Sequence, residues 1–216
     1  MKYILLLGIT CVFLSCGKGK SVQLPEITDA TITEILDVSP AYIFYDETKR
    51  DSVELNRKNL IGTTNWLVNI DKRLTLKQVV SHLIYLQNKR NKDGMHKNEN
   101  AKNYFTCNDT RIQNLGFIEF TNVFYHSEMR AEDYLKENQK TSCILVNFTK
   151  SNIFINGVSI GTKSLSTYLK DSVVSETYLV LNFDAALSFQ DYITYKSLLT
   201  KLDLDNVTIS NNEFIY

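Results

Sequence analysis

Proline and glycine are scarce in this chain, at two and eight of 216 residues. Linker-rich and disordered proteins are built from such residues with little apolar content. Here 44% of residues are hydrophobic, with Tyr, Phe and Ile recurring throughout, which describes an ordered domain of mixed structure. An excess of charge is also missing, because 24 Lys and Arg balance 24 Asp and Glu. No global field would gather nucleic acid or steer an acidic partner, so nucleic acid is not expected as a partner. Three histidines, His82, His96 and His126, and four cysteines show neither H-x-x-x-H nor C-x-x-C spacing. Neither a metal nor another cofactor is therefore expected. No apolar run reaches the roughly twenty residues needed to cross a bilayer.

What is present begins at the N-terminus. Lys2 supplies a positive charge, residues 3–14 carry none, and the stretch reads as an export signal to be removed. Phe13-Leu14-Ser15-Cys16 resembles the bacterial lipoprotein cleavage site, where a small residue precedes a cysteine that is acylated and becomes the new N-terminus. The resemblance implies a palmitate-type lipid attachment at Cys16, a membrane partner through that anchor and a place in the cell envelope. Gly17 in place of Asp after the acceptor favours the outer membrane. Cys11 leaves with the signal, so Cys107 and Cys143 remain as thiols. They form either one disulfide or two separate buried thiols, and the sequence leaves both open.

Residues 17–39 read as a tether with Pro25 in it and a short strand around residues 31–36. Beyond it lies an internal repeat. Asn69-Ile70-Asp71-Lys72-Arg73-Leu74-Thr75-Leu76 recurs without a gap as Asn182-Phe183-Asp184-Ala185-Ala186-Leu187-Ser188-Phe189. In both copies an apolar run reads as a buried strand ending at the Asp. Thr75 with Gln78, and Ser188 with Asp191, then stand at capping-box spacing, so a helix starts there. Leu76, Val79, Val80 and Leu83 share one helical face, as do Phe189, Tyr192, Ile193 and Leu199.

The fold class expected is α+β: two tandem small mixed-sheet modules with helices packed on the sheets, the second running ββαβαβ. Their boundaries are 40–125 and 142–216, joined by a charged connector, 126–141, expected to be helical. The first copy is expected to lack the second's first helix, with Gly62-Thr63-Thr64 in its place. It is also expected to carry a polar insertion over residues 87–113 before a last strand at 115–120.

From Cys143 onward the chain resembles the periplasmic domain of the ExbD/TolR family. Ile153-Phe154-Ile155-Asn156-Gly157-Val158, Leu165 and Leu169, and residues 179–184 running into Tyr192 carry that resemblance. It implies a domain shape and an affinity for peptidoglycan or envelope proteins. It does not imply proton conduction, because that family works through a transmembrane Asp and residues 3–14 contain no carboxylate.

Candidate chemistry is sparse. Gly157-Val158-Ser159-Ile160-Gly161 matches G-x-S-x-G, but Asn156-Gly157 reads as a hairpin turn and no His follows Ser159. Asp71 and Asp184 read as structural caps. Lys89, Arg90, Lys92, Lys97 and Lys102 give the insertion a local positive excess, which reads as a solvated loop, the alternative being a contact with anionic headgroups or cell-wall polymer. Tyr42, Phe44 and Tyr45 could stack on sugar rings, though alternating strand aromatics are more often core. The expected function is that of a non-catalytic envelope lipoprotein, a binding or scaffolding module for the cell wall or an envelope protein complex. The alternatives are a periplasmic enzyme with a non-local active site and a protective or inhibitory lipoprotein.

Overall fold

The computed structural model describes residues 19–91, 98–138, 142–173, 175–202, 204 and 206–216. The expected signal, the expected lipid acceptor Cys16, and Lys92, His96 and Lys97 lie outside the described residues. Among the described residues no helix is long and apolar enough to cross a membrane.

Two six-stranded mixed sheets with packed helices make the fold α+β. The first sheet holds β1 (Glu26–Ile27), β2 (Val38–Tyr45), β3 (Val53–Asn56), β4 (Asn65–Ile70), β5 (Asn103–Asp109) and β6 (Asn114–Glu119). The second holds β7 (Phe124–His126), β8 (Cys143–Phe148), β9 (Ile153–Ile155), β10 (Val158–Ile160), β11 (Thr177–Phe183) and β12 (Val207–Ile215). The helices are α1 (Leu76–Asn91), α2 (Ala131–Asn138), α3 (Leu165–Ser172) and α4 (Phe189–Leu199).

The halves share one plan. In each, a strand pairs antiparallel with the next and parallel with a third, and the third leads through a helix to a fourth strand parallel to it. The order β3-β2-β4-β5 in the first sheet answers β9-β8-β11-β12 in the second. The details repeat too. Asp71 N–H donates to Ile43 O at 3.0 Å, and Asp184 N–H to Phe148 O at 2.9 Å. Gln78 N–H donates to the Thr75 hydroxyl at 3.4 Å, and Gln78 Oε1 accepts from Thr75 N–H at 2.8 Å. Ser188 and Asp191 form the same reciprocal box.

The two strand-to-helix turns also bind each other. Leu76 N–H donates to Leu187 O at 2.8 Å, and Phe189 N–H to Leu74 O at 2.6 Å. One residue on, Lys77 N–H donates to Ala185 O at 2.9 Å and Gln190 N–H to Lys72 O at 3.2 Å. Thr75 faces Ser188 at the centre, so the contact is that of a two-fold axis within one chain. Each helix would otherwise leave its first amides without acceptors, and here the other half supplies them.

One core therefore spans both sheets. Trp66, Val68 and Ile70 of β4, Val79 and Leu83 of α1, Leu179, Leu181 and Phe183 of β11, and Phe189 and Ile193 of α4 belong to a single buried cluster. The Phe105 ring of β5 meets Phe189 edge-on at 5.3 Å, across the seam. On the outer face of the second sheet α2 places Ala131, with Tyr134 and Leu135, over Val180 and Phe214.

The first half and its boundary differ from the sequence expectation at five places. Residues 31–36 form no strand, and only Ile32 bridges to Phe117. The segment expected as a tether instead docks through β1, where Ile27 enters the core beside β5. Gly116 permits this close approach, because a Cβ there would lie 2.5 Å from Ala30 Cβ. The described part of the expected insertion forms regular elements: α1 runs on to Asn91, and β5 is the strand that answers β12. Residues 115–120 contribute β6, the antiparallel neighbour of β5. β5 escapes a hydrophobic reading because its buried face includes Asn103 and Asp109. Asn103 Oδ1 accepts from Arg90 Nε at 2.9 Å, and Asp109 Oδ2 from Ala30 N–H at 2.6 Å. β7, at the expected boundary, pairs with β12 in the second sheet.

Because Phe189 is fully buried on the seam, Phe189→Ala should cost about 3–5 kcal/mol. The loss should register in the fluorescence of Trp66, the only tryptophan, which lies in the other half. Urea unfolding followed at that residue checks this; an unchanged Trp66 transition would mean that the halves unfold separately.

Candidate functional site

Most sequence candidates have structural employment. Asn156 and Gly157 take positive φ (50° and 82°) between β9 and β10, and Ser159 sits on the return strand opposite Phe154. No elbow is formed there. Asp71 is fully buried, and both its oxygens accept from the Arg73 guanidinium at 2.8 Å. Burial alone would raise its pKa, but the Arg73 contacts and the Arg73 and Gln23 amides hold it below the ordinary carboxylate value. Asp184 accepts from Ala186 N–H at 2.8 Å, closing the equivalent turn.

His82 is half-buried on α1, where desolvation lowers its pKa. His126 Nε2 lies 2.8 Å from Asn212 Oδ1, and its ring stacks on Phe214. Among the described residues no group of His, Cys, Asp or Glu stands close enough to hold a metal ion. Cys107 lies on β5 and Cys143 on β8, in different sheets and not bridged to each other; burial pushes the Cys107 thiol up to about 12.

The cationic group is dispersed. Arg90 is not a surface contact: it stacks on Trp66 at 3.8 Å and donates to Asn103, Gly62 O and Thr64 O. That anchor ties the end of α1 to the turn before β4. Lys102 pairs with Glu119 at 2.8 Å. Lys89 remains half-buried at the surface. The aromatic trio divides as well: Tyr42 and Phe44 stack at 5.6 Å on one face of β2, while Tyr45 lies under Arg73.

Sequence reasoning missed a buried polar chain. Glu213 on β12 accepts from Lys196 Nζ of α4 and from the Tyr192 hydroxyl at 2.8 Å, and the Tyr125 hydroxyl of β7 lies 3.1 Å from that of Tyr192. Burial first, and the Glu213 charge second, push both tyrosines well above their ordinary pKa. The available signal was Lys196, one helical turn beyond Tyr192 on an otherwise apolar stripe.

It also missed the edge of the first sheet. β3 ends that sheet, and clefts flank it on the side of α1. One, of about 640 Å³, lies between residues 50–53 and Lys77, Gln78, Ser81 and His82. A second, of about 570 Å³, is lined by Arg57, Tyr85, Asn88, Lys89 and Asn91. A third, of about 560 Å³, follows residues 54–58 to Leu60 and Lys89. The Arg57 guanidinium lies 4.4 Å over the Tyr85 ring. α1 contains no acidic residue. Asp51 is engaged by Arg50, and Glu54 by Lys20 and Lys49. Among the described residues Arg57, Lys58, Lys77 and Lys89 have no carboxylate partner, so the groove is basic.

Comparison of the chain with protein-family models, with curated proteins and with solved structures finds no match.

The buried chain is testable. Glu213→Ala strands the Lys196 ammonium and should cost about 3–5 kcal/mol, whereas Lys196→Met with Glu213→Leu should be neutral or stabilising by about 1–4 kcal/mol. Urea denaturation of both variants separates a structural pair from one kept for another reason.

Proposed function

We propose that this chain is a lipid-anchored envelope protein, held at the outer membrane through Cys16, that acts by binding an envelope partner rather than by turnover. The anchoring part rests on the run from Lys2 to Cys16 and its likeness to a lipoprotein cleavage site. The resemblance of the second half to the ExbD/TolR periplasmic domain agrees with an envelope setting.

One observation carries the binding part: two halves of the same plan are finished unequally. In the second, the edge strand β9 is covered by β10, and α3 follows. In the first, the equivalent strand β3 ends the sheet, and residues 57–64 return to β4 in turns with no covering strand. Exposed strand edges pair readily with other chains, and proteins normally block them. An edge blocked in one copy and open in the other is a place for a partner.

In-cell crosslinking with mass spectrometry tests the reading. Wild-type protein should carry lipid on Cys16 and crosslink to an envelope protein. Cys16→Ala should leave the membrane fraction, because stable attachment needs the acyl chains. Protein that stays membrane-bound without lipid contradicts the anchor, and protein that crosslinks to no other chain contradicts the binding role.

A further inference from the structure

The open edge of the first sheet also has a chemistry, and from it we infer that β3 accepts an extended, acidic segment of another protein as an added antiparallel strand alongside α1. The inference deepens the binding role and rests on it.

The backbone argument comes from the molecule itself. Asp46 N–H donates to Ser52 O at 3.0 Å, and Thr149 N–H to Asn152 O at 3.0 Å. These bonds set the alternation in the two equivalent hairpins. Tyr45–Val53 and Phe148–Ile153 then become non-hydrogen-bonded pairs, so the N–H and C=O groups of Val53 and Leu55 point outward, as do those of Ile153 and Ile155. Ile153 and Ile155 use those groups to hold β10, pairing with Ile160 and Val158. Val53 and Leu55 present the same groups with no strand beside them. Side-chain burial follows the same difference: Ile153 and Ile155 are fully buried, whereas Val53 and Leu55 are only half-buried. A strand laid on β3 would complete the first half as β10 completes the second. This is strand addition, in which main-chain bonds supply affinity and alternate side chains supply selection.

The charge argument selects the occupant. Every second side chain of the added strand would face the groove beside α1, where Lys77, Lys89, Arg57 and Lys58 are unpaired among the described residues and Tyr85 offers an apolar contact. Carboxylates at alternate positions match that pattern. A basic strand would meet like charges, and that repulsion selects against it.

The test uses the full-length mature protein and a labelled eight-residue peptide alternating Glu and Val, read by fluorescence anisotropy and amide hydrogen exchange. The Glu peptide should bind with a salt-dependent affinity and slow exchange at Val53 and Leu55. A Lys-Val peptide, or a Glu peptide N-methylated at alternate residues, should bind at least about tenfold more weakly. Lys77→Glu with Lys89→Glu should weaken the Glu peptide about tenfold and leave the Trp66 fluorescence of the folded state unchanged. Leu55→Pro removes an outward amide at an edge position, where proline is tolerated, and should abolish the protection. The charge variant keeps the test decisive if that one fails to fold. Equal binding of both peptide charges, protection elsewhere than β3, or binding of anionic phospholipid vesicles in place of the peptide would each overturn the inference. If cellular crosslinks persist undiminished in Lys77→Glu/Lys89→Glu, the inference fails while the binding role stands; if wild type crosslinks to nothing, both fail.

Discussion

Reciprocal backbone bonding between the turns 71–76 and 184–189 determines how everything else is placed. Each helix begins where a buried strand ends, and its first amides have no acceptor within the helix itself. Leu76 and Lys77 find them on Leu187 and Ala185, and Phe189 and Gln190 find them on Leu74 and Lys72. The capping residues Thr75 and Ser188 supply the next acceptor in each helix. Each half caps part of its own helix start and takes the acceptors for the first two amides from the other, so the two copies behave like subunits of a dimer fused into one chain. Once the turns are joined, α1 and α4 each touch both sheets, and one core forms around Phe105, Phe189 and Tyr192.

The same symmetry makes departures from it informative. The second half is finished by β10, α3 and α2, while the first is finished by β6 and by the segment 23–27. That segment is fixed from across the seam: Gln190 accepts from Glu26 N–H at 2.7 Å and donates to Glu26 O at 2.9 Å, taking the place of a neighbouring strand. β1 thus has its outer edge satisfied by a side chain, and β9 has its edge satisfied by β10. β3 has neither. The second sheet ends on the added strand β10, whereas the first ends on β3 itself, and only β3 is bordered by the basic groove along α1.

Much of this was legible in the sequence, for a physical reason. The repeated strand, cap and helix depend on local rules: apolar runs, a hydroxyl and a polar residue three positions apart, and a helical stripe. Asn156-Gly157 likewise announces its turn because both residues tolerate positive φ. The illegible parts depend on distant partners. β5 was hidden because Asn103 and Asp109 are satisfied by Arg90 and Ala30, residues from other elements. Arg90 reads as a loop cation in sequence and is a buried anchor only because Trp66 and two turn carbonyls meet it. The open edge of β3 shows only when both sheet orders are compared, and the unpaired state of its cations only when the ion pairs around them are known.

Native-state hydrogen exchange across both sheets tests the central claim most directly. If the joined turns make one cooperative unit, the amides of Leu76, Lys77, Phe189 and Gln190 should open with the same free energy as the central strands β4 and β11, at the global limit. Exchange of one sheet through a separate, lower-energy opening while the other stays protected, with the turn amides exchanging early, would contradict the account and leave two modules that merely touch.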